Sequence, residues 1–545
     1  MQELRSAAEA KVTRLADGRI HTLIVGAGPS GLATAHKLAE AGVVPLVVEK
    51  SRAAGGLMRS IERGVFTMDL GRKELYTRIP EVDRFWHEIL RDDYREYAHR
   101  VGSLYRGRIL ELSSKHRGPL RGLPLAWFIV GGFDLVRCWF GSRLSKPANY
   151  QDYWYRRAGQ RFARMFAQGY WEKFRGQAWI DMPAPVSEID GSNANSYSFN
   201  AIRHGLKLAS QGGPAQQVRW RHPAKGSGQI SARMLDRLRR EGVPVAFETE
   251  VISINAVDRN VTEVTTRSPD GLHSYHPRHL VSSMQIEDLA NLLTNVSSPG
   301  TKPARPPAET GQSVVLVYLF LDEPCRFPHA WLEVNDTDLK SGRITNYAGF
   351  NGDMVPEGKA CLCVEFFCVG DDPIARLPAP EITALAIQEC ADNALIDPAK
   401  LLDTHVMTMR RTNAAASWRD WQRTFKMQLL EEVSRVENLF HVNRPGMDWA
   451  TFAGMVAAES IIEGCRAEFD RRADPTRRYE ENPGVAKHAV TAQQSAVAAG
   501  RTAYGLTESH SADGPGRPSC RPDRDDGEGC LTRAMRQACR RLFNP

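Results

Sequence analysis

The residues best suited to do chemistry stand near the start of the chain. They are Gly26-Ala27-Gly28-Pro29-Ser30-Gly31, followed eighteen residues later by Glu49. Thr22-Leu23-Ile24-Val25 reads as a short buried strand, residues 32–41 as an alanine-rich helix, and Leu46-Val47-Val48 as a second strand ending at Glu49. This is a strand–turn–helix–strand unit carrying a dinucleotide fingerprint. Gly26 permits the tight turn, Gly28 lets backbone approach a pyrophosphate, and Gly31 lets helix and strand pack closely. Pro29 and Ser30 of the turn count among the cofactor-binding candidates, and the free N–H groups and positive dipole end of the helix that follows would face the phosphates. Glu49 would accept the ribose hydroxyls and repel a 2′-phosphate.

The residues after Glu49 narrow the cofactor. Lys50-Ser51-Arg52-Ala53-Ala54-Gly55-Gly56-Leu57-Met58-Arg59 resembles the second glycine motif of a large flavoprotein superfamily. That superfamily holds amine oxidases, protoporphyrinogen oxidases, carotenoid desaturases and UDP-galactopyranose mutases. The resemblance covers about residues 20–470 and is carried further by Ile79-Pro80-Glu81-Val82 with Trp86, by Trp331-Leu332-Glu333-Val334, and by Lys340-Ser341-Gly342-Arg343-Ile344-Thr345-Asn346-Tyr347. Asp353-Met354-Val355-Pro356 and the string from Cys361 to Cys368 complete it. It implies non-covalent FAD, with Lys50, Gly55, Gly56, Leu57 and Met58 beside the pyrophosphate and ribityl chain. It also implies a backbone contact from Val251 to the adenine. Gly446, Met447 and Asp448 would lie at a helix start under the flavin pyrimidine, although Asp448 alone could simply cap that helix.

Candidate substrate-side residues follow from chemistry and from the resemblance. Arg72, Arg343 and Arg444 could clamp a carboxylate or phosphate, while Tyr76, Asn346 and Tyr347 could line an amphipathic pocket. Where many mutase-like members carry Gly-Gly-His, this chain has Gly71-Arg72-Lys73, which sets Lys73 against the ring; the alternative is a surface pair between Lys73 and Glu74. We take Lys73, Arg444, Arg343 and Tyr347 as the catalytic candidates. The missing histidine weakens the case for sugar-ring contraction and leaves redox chemistry favoured.

Around these residues the chain must supply a scaffold. The expected fold class is α/β: a Rossmann-like FAD-binding domain of the glutathione-reductase-2 type, with a three-layer ββα sandwich, interleaved with an α+β substrate-binding domain. Residues 20–118, 216–300 and 426–472 would build the FAD-binding domain. Residues 119–215 would form a helical cap, 301–425 a substrate sheet, and 473–545 a disordered tail rich in Arg, Asp, Gly, Pro, Ser and Ala. Helices are expected over 79–89, 229–242 and 452–463, a hairpin turning at Arg106-Gly107 over 101–110, and β-structure over 314–321 and 361–369.

Composition excludes other classes. The chain has 545 residues, 71 Lys+Arg against 64 Asp+Glu, and 42% hydrophobic residues. The net charge of +7 is modest and spread along the chain, so no nucleic-acid partner is expected. The ten cysteines read as reduced core residues, and Cys520, Cys530 and Cys539 are spaced too far apart for a zinc knuckle, so no metal is expected. The first eighteen residues lack an apolar run, which fits a cytoplasmic protein. Residues 123–144 are apolar but interrupted by Gly131, Gly132, Asp134 and Arg137. A cap helix is the preferred reading there, a peripheral membrane contact the alternative, and a membrane span is excluded by length.

These expectations amount to an oxidase or dehydrogenase acting on a small or medium organic substrate, anionic or sugar-linked among the options, in specialised metabolite biosynthesis. The alternative is a non-redox isomerase of the UDP-galactopyranose mutase type.

Overall fold

The structure is a computed structural model that describes residues 11–75, 77–98, 100–112, 123–141, 147–184, 219–294, 312–412 and 420–474. Tyr76, the tail from residue 475 on and its three cysteines lie outside the described residues.

Five strands form a parallel sheet in the order Leu439–His441, Pro277–Ser282, Ile20–Val25, Leu46–Val48, Val245–Ala246. Both faces are covered, as the continuous apolar runs require. Successive side chains alternate between faces. Ile24, Val47, Val281 and Phe440 pack under a helical layer. Leu23, Val25, Leu46, Val48, Leu280 and Leu439 pack against Val251, Ile254, Val261 and Val264 of an antiparallel meander. The meander comprises Glu250–Val257, Asn260–Ser268 and Gly271–Tyr275. This is the expected three-layer ββα sandwich.

The helical layer is built from Pro29–Glu40, Pro80–Leu90, Gly228–Arg240 and Met447–Glu463. Its tightest crossing brings the first and last together. A Cβ on Gly454 would stand 2.1 Å from the Ser30 carbonyl oxygen, and the Thr34 hydroxyl donates to the Gly454 carbonyl at 3.0 Å. No other residue type fits at 454.

The second body is a seven-stranded sheet, ordered Leu401–Thr412, Gln312–Leu321, Ala360–Val369, Arg343–Asn346, Trp331–Val334, Val101–Tyr105, Arg108–Glu111. In Ala360–Val369, Leu362, Val364, Phe366 and Cys368 share a core with helix Ala379–Asp392. Cys361, Cys363 and Phe367 face the other way, onto Phe66, Met68 and Leu70 of the dinucleotide domain. Glu365 occupies the same inward row.

The hairpin at 101–111 turns at Arg106 (φ 50°) and Gly107 (φ 69°), the left-handed pair a two-residue loop favours. It adds to the seven-stranded sheet, because Val101–Tyr105 runs parallel to Trp331–Val334. The hairpin therefore departs from the segment 20–118 to which sequence order assigned it. The cap contains the helices Leu125–Gly141 and Tyr150–Ala158 and an aromatic cluster of Tyr150, Trp154 and Trp179. No described helix is long and apolar enough to cross a membrane. Cys138, Cys325, Cys361, Cys363, Cys368 and Cys390 are free thiols, the last four buried.

Candidate functional site

The glycine turn divides its three glycines by environment. Gly26 sits at φ 101°, and a Cβ there would come within 2.0 Å of the Ser283 Oγ. A Cβ on Gly31 would stand 1.9 Å from the Gly26 carbonyl oxygen. A Cβ on Gly28 would meet nothing within 4 Å. Gly26 and Gly31 are thus demanded by the fold, whereas Gly28 borders open space. The helix Pro29–Glu40 begins there with proline at its start, Ser30 buried, and no side chain capping its N–H groups. Such an end is an anion site.

Two further segments close around that space. The Gly55 N–H donates to the Ala27 carbonyl at 2.7 Å. Gly55 (φ 107°) and Gly56 (φ 54°) turn the loop so that a Cβ on Gly56 would lie 3.5 Å from the Gly28 Cα. Leu57 is half exposed, Lys50 is exposed, and Met58 is buried with its carbonyl accepting from the Ser227 hydroxyl. Glu49 is fixed by the Ala27 N–H at 2.7 Å on one oxygen and by the Ser51 N–H and hydroxyl at 2.9 and 2.7 Å on the other. Its own carbonyl accepts from Thr249, two residues before buried Val251. Open Gly28, an uncapped helix end and a positioned acid fit a dinucleotide.

The third expected element forms, with a longer helix than foreseen. Met447–Glu463 starts five residues before position 452, from Gly446 at φ 89°, and again no side chain caps it. Asp448 does not cap either. It lies inside the first turn, where Oδ1 accepts the Trp449 N–H at 2.8 Å. Burial pushes its carboxyl up to about 6.

Arg444 corrects its sequence reading. Its Nη1 donates to the His441 and Asn443 carbonyls at 2.9 and 2.8 Å, and its Nε donates to the Ala473 carbonyl at 2.9 Å. Burial pulls the guanidinium down to about 10. These bonds tie helix Arg466–Arg472 to the turn before helix Met447–Glu463. The side chain is a tether, not a free clamp for substrate.

The segment carrying Lys73 is shaped from the seven-stranded sheet. The Tyr318 and Tyr347 hydroxyls both donate to the Asp69 carbonyl at 2.7 Å, and Tyr347 also reaches the Gly71 carbonyl at 3.0 Å. Burial raises both phenols well above their usual range, so both remain donors. Tyr347 is therefore a buried brace. Gly71 takes φ 70°, and a Cβ there would stand 3.2 Å from the Glu365 carboxylate. Glu365 also accepts the Arg72 N–H at 3.2 Å and the Thr345 hydroxyl at 3.1 Å.

Arg343 grips Glu365 through Nε and Nη2, and its Nη1 points at the Tyr170 hydroxyl at 3.4 Å. Burial opposes both charges, but each offsets it for the other, leaving Glu365 below and Arg343 above its ordinary value. Arg72 stacks over Trp331 at 4.4 Å and nears Glu74 at 3.7 Å. Lys73 lies half-buried beside this group, without a hydrogen-bond or ion-pair partner among the described residues. Burial lowers its ammonium, against the pull of Glu365. The surface pair with Glu74 does not form.

Sequence reading missed Glu365, whose signal was a lone acid inside an apolar strand. It also missed Asp69, His222 and Asn351. His222 Nε2–H donates to Asp69 at 3.0 Å, and Nδ1 accepts from the Asn351 amide at 3.0 Å. Asp69 Oδ1 further accepts the Ser227 N–H at 2.9 Å, just before helix Gly228–Arg240. This network joins the hairpin after the second glycine loop to the start of helix Gly228–Arg240.

A family model described as an NAD(P)-binding Rossmann-like domain matches residues 24–89. No curated protein matches the sequence. Among solved structures, reduced UDP-galactopyranose mutase superposes with a TM-score of 0.65 at 18% identity, over 86% of this chain and 98% of that one. A provisionally named protoporphyrinogen oxidase from Exiguobacterium sp. 255-15 gives 0.58 at 14% identity, over 81% and 98%. Wild-type putrescine oxidase bound to putrescine gives 0.50 at 15%, over 81% and 98%. Such identities speak for architecture: the chain carries a Rossmann-like domain and shares its overall fold with these three solved structures.

Proposed function

We propose that this protein is an FAD-dependent oxidoreductase acting on a small or medium organic substrate, with an oxidase or a dehydrogenase cycle, in specialised metabolite biosynthesis. The observation that carries this reading is the cradle at Gly28. It is open in front, backed by Gly56, and flanked by an uncapped helix and by Glu49. Gly28, Gly56 and the N–H groups of Pro29–Glu40 would take the pyrophosphate, Glu49 the ribose hydroxyls, and the start of Met447–Glu463 the pyrimidine end. FAD, when bound, supplies a hydride acceptor.

The chain's own residues supply position and charge. Lys73 has no hydrogen-bond or ion-pair partner among the described residues, and this supports reading it as the group that would orient an anionic or hydrogen-bond-accepting substrate. Arg343 and Glu365 neutralise each other and define the wall behind it, while Tyr318 and Tyr347 hold the loop that presents it. Lysine in place of the mutase-like histidine favours redox chemistry over isomerisation.

The test is to release and identify the chromophore of the purified protein, then to screen amines, alcohols and saturated carbons for anaerobic bleaching of the flavin. FAD with substrate-dependent bleaching supports the proposal. Turnover of UDP-galactopyranose that requires reduced flavin and leaves it reduced would establish the mutase reading instead.

A further inference from the structure

We propose that the cap helix Leu125–Gly141 docks this protein on the surface of an anionic phospholipid membrane. The helix is built inside out. Its inward face carries Gly131, where a Cβ would stand 2.6 Å from the Phe162 ring, and Asp134, whose carboxylate accepts the Arg161 N–H at 2.9 Å. Its outward face carries Leu125, Phe128, Ile129, Phe133 and Val136, at helical spacing and 72, 42, 54, 80 and 51% exposed; Val130 beside them is 41% exposed. Six of the thirteen exposed large hydrophobic residues described in the chain thus lie on one helix. Scattered, they would need no explanation; gathered on one face, they mark a contact surface.

Charge selects the occupant. Residues 113–146 carry Lys115, Arg117, Arg121, Arg137, Arg143 and Lys146 against Asp134 as the one acid, and Asp134 is turned inward. An apolar helical face within a strongly basic stretch matches the boundary between acyl chains and anionic headgroups. The helix of 17 residues is too short to span a bilayer of about 30 Å and suits lying along it. It packs beside Phe162 and Phe166, in the helical run that leads to Tyr170 and Arg343. The membrane would therefore lie on the cap side of the candidate site, whatever reaction that site performs.

The test is flotation of the full chain with vesicles of phosphatidylcholine alone and of equal parts phosphatidylcholine and phosphatidylglycerol. Wild type should float with the mixed vesicles, bind the neutral ones weakly, and be released by salt. The double variant Ile129→Asp/Phe133→Asp should lose binding by about tenfold or more with an unchanged melting temperature. Leu272→Asp, at an exposed apolar residue on the meander strand Gly271–Tyr275, should float like wild type. The proposal is overturned if wild type ignores the mixed vesicles or if the double variant still binds them. It is equally overturned if the substitutions alter self-association or melting while flotation stays as it was.

Discussion

Arg343 and Glu365 stand directly opposite each other on neighbouring antiparallel strands, with Nε to Oε1 at 2.9 Å and Nη2 to Oε2 at 2.5 Å. Side-chain exposure is 12% for the arginine and 1% for the glutamate. A pair so buried is costly to break from one side, because the remaining charge has no solvent. Glu365→Gln should therefore lower unfolding free energy by about 3–5 kcal/mol in urea titrations, and a second change, Arg343→Met, should restore part of it. A loss below about 1 kcal/mol, the scale of an exposed pair, would mean that the pair does not hold the sheet.

Lys73→Met asks the opposite question. The ammonium is desolvated and has no hydrogen-bond or ion-pair partner among the described residues, so its removal should leave thermal stability equal or higher and cofactor content unchanged. The rate of flavin reduction or reoxidation with the true substrate should fall tenfold or more, about 1.4 kcal/mol in transition-state stabilisation. Stopped-flow rates matching wild type would remove Lys73 from the candidate site.

The three fingerprint glycines should separate by phenotype. Gly28→Val points a side chain into open space, so the protein should fold and be purified without its yellow cofactor. Gly31→Ala drives a methyl into the Gly26 carbonyl and should destabilise the fold itself, by about 1–3 kcal/mol or more. Absorbance near about 450 nm and melting curves read both, and a yellow Gly28→Val protein would contradict the cradle.

Arg444→Ala should act on stability first. It strips donors from the carbonyls of His441, Asn443 and Ala473, a loss of about 2–4 kcal/mol. Thermal unfolding should show it before any kinetic change. Full stability combined with a collapse of turnover would restore the substrate-clamp reading.

Asp448 gives a pH signature. Its carboxyl is raised by burial from 3.8 to about 6. The folded protein thus holds a proton that the unfolded chain releases. This favourable contribution is complete below about pH 4 and disappears as pH rises through 6, a change on the order of 3 kcal/mol. Asp448→Asn should flatten that slope and raise the melting temperature at neutral pH. Parallel profiles for the two proteins between pH 4 and 7 would place Asp448 in contact with water.

Local chemistry, complete within a few dozen residues, was legible in the sequence. The glycine turn, the two short apolar strands and Glu49 form one continuous unit, so spacing alone specified the dinucleotide cradle and the direction of its helix. The β-structure expected over 361–369 formed, but that strand is apolar along its whole length save for Glu365, so which face turns inward was not legible. What tertiary structure decided was which distant residues share a charge or a hydrogen bond. Arg343 looked like a free clamp until Glu365, isolated in an apolar strand, proved to be its register partner. Arg444 looked catalytic until the Ala473 carbonyl, 29 residues later, claimed its donors. Lys73 and Glu74, adjacent in sequence, do not pair. Strand pairing is set by the summed packing of two faces, and a side chain's partner by where those faces bring it; neither quantity is written in the residues beside it.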